Sequence, residues 1–138
     1  MIPATCLPCP LPYVEPPVSA GFPSPAADYE EQELDLGELL VRNKAATFLM
    51  RAKGVSMLEA GILDGDLLVV DRSVRPASGS IVVASLNGEH TVKFLRRRAG
   101  RVYLEAANPD FPAIEVTEDE DLVIFGVVMH AIHSLARG

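Results

Sequence analysis

Between residues 47 and 132 the chain falls into seven short apolar segments: TFLMRAK (47–53), DLLVVD (66–71), SIVVASL (80–86), HTVKFLR (90–96), RVYLEAA (101–107), AIEVT (113–117) and LVIFGVVMHAI (122–132). Each is rich in β-branched residues and bounded by turn signals, so each reads as a strand. Strands this short bury an apolar face only by sharing a sheet, which predicts a compact, coiled, mostly-β domain. Asn87-Gly88 is the dipeptide a type I′ hairpin prefers, so 80–86 and 90–96 are expected to pair antiparallel. Gly126, inside the longest segment, predicts a bend or bulge.

The N-terminal part is organised differently. Eight of the eleven prolines lie in residues 1–27, with no hydrophobic period, which predicts an extended, polyproline-like arm without a core of its own. From Asp35 the pattern changes, because Leu36, Leu39 and Leu40 recur at helical spacing behind a residue suited to capping. A short helix over 35–43 is expected there. The chain therefore divides into a proline-rich, acidic arm, 1–34, and a folded domain, 35–138, and 138 residues with 49% apolar content suffice for one core.

Charge follows the same division. Residues 1–38 carry seven acids and no Lys or Arg, whereas the remaining hundred carry twelve acids against twelve bases. A balanced domain without a basic face argues against direct sequence-specific DNA binding. Arg96, Arg97 and Arg98 precede the turn-like Ala99-Gly100 and read as a solvated hairpin end. No run approaches the roughly 18 to 20 apolar residues of a membrane span, and the proline-studded N-terminus lacks a signal peptide's basic start, so a cytoplasmic protein without membrane contact is expected. Cys6 and Cys9 form CLPC without further ligands at matching spacing, and His130-x-x-His133 lacks a third, so neither a metal nor a cofactor is expected.

The stretch RAKGVSMLEAG (51–61) raises the question of a serine nucleophile. Ser56 follows a strand and a glycine, in a strand, tight turn, strand arrangement that presents a hydroxyl beside backbone N–H groups. The G-x-S-x-G elbow of α/β-hydrolases is absent, because residue 58 is Leu. His90, His130 and His133 have no spacing that marks a triad base. Among the three lysines, Lys44, Lys53 and Lys93, the last sits mid-strand among Val92, Phe94 and Leu95. Burial would lower its pKa, and a drop from about 10.4 to about 7 needs roughly 4 to 5 kcal/mol of differential destabilisation. The alternative reading has Lys93 alternate outward, its ammonium in water.

GVSM (54–57), GILDGDLLVVD (61–71) and TVKFL (91–95) resemble the self-cleaving Ser-Lys domain of the LexA/UmuD family, S24-like peptidases. GFPSPAADYEEQELDL (21–36) and FGVVMHAI (125–132) are similar to the UmuD branch, and no helix-turn-helix segment of a repressor precedes them. The resemblance implies the β-clip fold shared with signal peptidases, Ser56 as nucleophile, Lys93 as general base, and an oxyanion hole from the backbone of Val55 and Ser56. It also implies a scissile bond at Ala20-Gly21. Val55, where relatives often carry a polar residue or Met, and the unusually proline-rich arm depart from the family pattern. By the same resemblance the chain is a homodimeric SOS mutagenesis protein whose autocleavage is stimulated by a RecA filament on single-stranded DNA. The shortened form then serves a UmuC-type Y-family polymerase in translesion synthesis. Two other readings are a non-catalytic accessory module of the same fold that regulates a polymerase, and a signal-peptidase-like enzyme acting in trans, against which the missing membrane anchor argues.

Overall fold

The computed structural model describes residues 9–13, 20–21 and 32–136. Two compact units are present, Met1–Leu40 and Val41–Gly138. In the first, β1 (Pro10–Tyr13) pairs antiparallel with β2 (Gln32–Asp35), and α1 (Leu36–Leu40) follows. Two of these features differ from expectation. The helix is shorter than 35–43, and part of the arm forms a paired strand despite Pro10 and Pro12. A two-stranded sheet has only edges, so a proline whose missing N–H faces away from the partner costs no ladder bond. The Asp35 carboxylate accepts the Cys9 backbone N–H at 2.8 Å, closing the end of the pair. Cys6 lies outside the described residues, and Cys9 is a free, exposed thiol.

The second unit is one antiparallel sheet of seven strands. These are β3 (Thr47–Arg51), β4 (Leu67–Asp71), β5 (Ile81–Leu86), β6 (Glu89–Arg98), β7 (Arg101–Glu105), β8 (Ile114–Val116) and β9 (Leu122–Ile132). Their order is β3-β4-β9-β5-β6-β7-β8. All seven expected strands form. The β5–β6 turn has Asn87 at φ 51° and Gly88 at φ 86°, the left-handed pair a type I′ hairpin requires. Strand β9 runs between β4 and β5, and its register shifts against both, so Gly126 lies in an irregular strand as expected. A Cβ on Gly126 would stand 2.8 Å from Val70 Cγ1 and 3.0 Å from the Asp71 carbonyl, which explains the glycine.

Val82, Val83 and Ala84 are buried in succession along β5, because successive side chains point to opposite faces and both faces of the sheet are covered. Val83 joins one core cluster with Ala52, Met57, Ile62, Leu68 and Val70. Val82 and Ala84 join another with Leu95, Leu104 and Val127. The arginine run ends β6 as a hairpin, with Arg96 and Arg98 both paired to Glu105, at 3.6 and 3.1 Å, and Arg98 over the Tyr103 ring. Among the described residues no helix is long and apolar enough to cross a membrane, and no cluster of three or more His, Cys, Asp or Glu is placed to hold a metal ion.

Candidate active site

Strand β7 pairs with β6 only from Phe94 onward, so among the described residues the N-terminal half of β6 is paired on one side alone. The turn carrying Ser56 lies beside that half. Leaving β7, the chain holds this turn by two bonds: the Ala107 carbonyl accepts the Glu59 N–H at 2.8 Å, and the Asn108 side-chain amide donates to the Val55 carbonyl at 2.8 Å. On the other flank, Asp64 accepts the Gly54 N–H at 2.6 Å, and Gly54 holds a left-handed φ of 94°. Met57 and Ile62 anchor the segment in the core. A one-turn 3-10 helix, Leu58–Ala60, completes it.

These constraints bring Lys93 Nζ to 3.0 Å from Ser56 Oγ. The amine also lies 2.7 Å from Thr91 Oγ1 and 3.2 Å from the Val92 carbonyl, and it is half-buried rather than extended into water. Burial lowers its pKa from the ordinary lysine value. The three oxygens suit either protonation state. An ammonium donates one N–H to each, whereas a neutral amine donates to Thr91 and Val92 and turns its lone pair to the serine proton. A hydroxyl and a partly desolvated amine at this distance can exchange a proton, the first requirement of a serine nucleophile activated by lysine.

The pair opens into a cavity of about 310 Å³ whose walls include Met57, Ile62, Leu68 and Val83 and whose lining also includes Arg51, Lys53 and His90. The His90 ring stands edge-on to Phe125, with centroids 5.1 Å apart. His133 pairs instead with the buried Asp66 at 2.8 Å, far from the role of a triad base. Ala20 and Gly21 belong to the first compact unit and are exposed in a bend.

Thr91 and Asn108 escaped the sequence reading. Thr91 had a signal, since residues two apart on a strand share a side. Asn108 had none, because its bond to Val55 spans 53 residues.

Residues 12–129 match the family model described as Peptidase S24-like. The chain belongs to that family. It is 53% identical to Protein ImpA of Salmonella typhimurium over 114 residues, which cover 83% of this chain and 77% of that one. Identity to Protein MucA of Escherichia coli is 48% over 123 residues, 88% of this chain and 84% of that one. The LexA repressor of Cupriavidus taiwanensis is 42% identical over 117 residues, 85% of this chain but 54% of the repressor. As an S24-like chain it has the mostly-β architecture expected of the LexA/UmuD fold.

Proposed function

We propose that this chain is an autoproteolytic serine endopeptidase that cuts its own Ala20-Gly21 bond. The observation that carries the reading is the 3.0 Å hydrogen bond between Lys93 Nζ and Ser56 Oγ, made by a lysine whose burial favours the neutral amine. Neutral Lys93 accepts the Ser56 proton as Oγ attacks the Ala20 carbonyl, and the backbone N–H groups of Val55 and Ser56 stabilise the oxyanion. The Lys93 ammonium then protonates the leaving amine of Gly21. Water, giving a proton to Lys93, attacks the acyl carbon, and Ser56 leaves with its hydroxyl restored. Because catalyst and substrate share a chain or a dimer, the bond is present at high effective concentration and each molecule reacts once.

A serine and a lysine in contact would process the chain at once if the scissile segment were always docked, so cleavage needs a trigger. By its resemblance to UmuD, the trigger is a RecA filament on single-stranded DNA. The homodimeric product then serves a UmuC-type polymerase in SOS translesion synthesis. Membership of the S24-like family and similarity to ImpA and MucA support placing the chain in this branch.

The test is N-terminal sequencing of the product formed at alkaline pH and with a RecA filament. A fragment beginning at Gly21, absent from Ser56→Ala and Lys93→Ala, is expected. Cleavage at another bond, or undiminished cleavage in Ser56→Ala, would refute the proposal.

A further inference from the structure

The cavity beside Ser56 has one-sided charge. Arg51, Lys53 and Lys93 contribute to its lining, and no carboxylate does. Asp64 is close in the chain, but it accepts the Gly54 N–H and does not line the cavity. Lys53 has no ion-pair partner among the described residues. Arg51 gives one guanidinium N–H to the Gly65 carbonyl at 2.9 Å, and its other donors remain for a ligand. Below this cationic rim the walls are apolar, which weakens competition from water.

A peptide bond entering such a pocket is neutral, but its hydrolysis product is not. When water adds to the acyl carbon and the bond to Ser56 Oγ breaks, residue 20 ends as a carboxylic acid. That acid is far stronger than an ammonium ion, so its proton passes to an amine and a carboxylate remains. We infer that this pocket retains the peptide it releases, binding residues 1–20 through the new C-terminal carboxylate of Ala20. The proposal rests on the cleavage reading above. The released segment carries Glu15 and no Lys or Arg side chain, so no side-chain charge on it opposes the pocket. Retention would make the pocket its own product trap and block a second scissile segment from entering.

The experiment uses the full-length chain carrying Ser56→Ala, so that nothing is turned over. A fluorescein-labelled peptide of residues 11–20, LPYVEPPVSA, is titrated by anisotropy as the free acid and as the C-terminal amide. The tethered arm competes with both alike, so their ratio isolates the carboxylate. The acid is expected to bind about tenfold tighter at pH 7, as for one charge-assisted hydrogen bond. That preference should shrink in Arg51→Gln/Lys53→Gln and as pH rises and Lys93 loses its proton. Equal affinities, no binding by either peptide, or a preference indifferent to the double substitution would overturn the inference. Sequencing of the wild-type product separates this failure from failure of the cleavage reading, since a chain that cuts at Ala20-Gly21 yet binds acid and amide alike loses only the trap.

Discussion

The Asn108 amide and the Val55 carbonyl meet at 2.8 Å, so the loop leaving β7 holds the peptide unit that precedes Ser56. The oxyanion donors proposed for this turn would depend on that grip, because a small rotation of the peptide would misdirect them. Asn108→Ala is therefore expected to slow self-cleavage about five- to tenfold, the worth of one hydrogen bond. Lys93 keeps all three of its oxygen neighbours in this variant, so the midpoint of the pH–rate profile should stay where it is. A shifted midpoint would mean that Asn108 acts through the lysine instead.

Thr91 should show the opposite signature. Its hydroxyl lies 2.7 Å from Lys93 Nζ, and an ammonium gains more from that acceptor than a neutral amine does. Thr91→Val keeps the branched shape but removes the acceptor. The ammonium is then destabilised, and the alkaline rise of the cleavage rate is expected to move to lower pH. The plateau rate should fall at the same time, because the amine loses one of its restraints. Cleavage rates measured across the alkaline range separate the two effects.

Burial of Lys93 also predicts a stability profile. Its folded pKa lies below the ordinary lysine value, so between the two the unfolded chain binds more protons and stability rises with pH. The penalty is complete below the lowered folded value and gone above about 10.4, the unfolded value. Urea unfolding of the full chain in a Ser56→Ala background should therefore show stability climbing through that window relative to Ser56→Ala/Lys93→Met. Parallel profiles for the two chains would show that the amine is not desolvated by folding.

How much of this was legible in the sequence depended on the range of the interaction. The strand set, the Asn87-Gly88 turn and the irregularity at Gly126 follow from local pattern, because alternation, turn chemistry and an absent Cβ act within a few residues. Ser56 and Lys93 were nameable by motif. Their contact was implied by the family resemblance but not by composition or spacing, since it spans 37 residues and depends on β7 leaving half of β6 open. The pairing of β1 with β2 was hidden for a different reason: PLPY has strand-breaking composition, and its partner QELD is polar. The helix was overestimated because Leu36, Leu39 and Leu40 all fit within the five residues of α1 and do not require nine.

His133 and Asp66 form a second long-range pair. The Asp66 carboxylate is buried, accepts the Leu63 N–H at 2.8 Å and meets His133 Nδ1 at 2.8 Å, tying the segment after β9 to the loop that supplies Ile62 to the cavity wall. His133→Ala leaves one carboxylate oxygen without its partner. Because the imidazole is partly exposed, water can take its place, and the expected loss is about 1 kcal/mol of unfolding free energy rather than the larger cost of an orphaned buried charge. Denaturant unfolding checks it. A loss of several kcal/mol would mean that the site stays dry.

The two tight hairpins permit a comparison within the same fold. Asn87 and Ala99 hold the same left-handed φ of 51°, each followed by a glycine, at Asn87-Gly88 and Ala99-Gly100. An asparagine tolerates that conformation because its side chain bonds locally, whereas alanine carries the steric cost of its Cβ without compensation. Ala99→Asn is therefore expected to stabilise the second unit by about 0.5 to 1 kcal/mol, seen as a higher urea midpoint with an unchanged slope. Ala99→Gly should gain less, since glycine also widens the unfolded ensemble. Ala99→Val, which adds a β-branched side chain to the same strained φ, should lower the midpoint. A neutral Ala99→Asn would show that the left-handed φ of residue 99 costs too little for an asparagine to relieve.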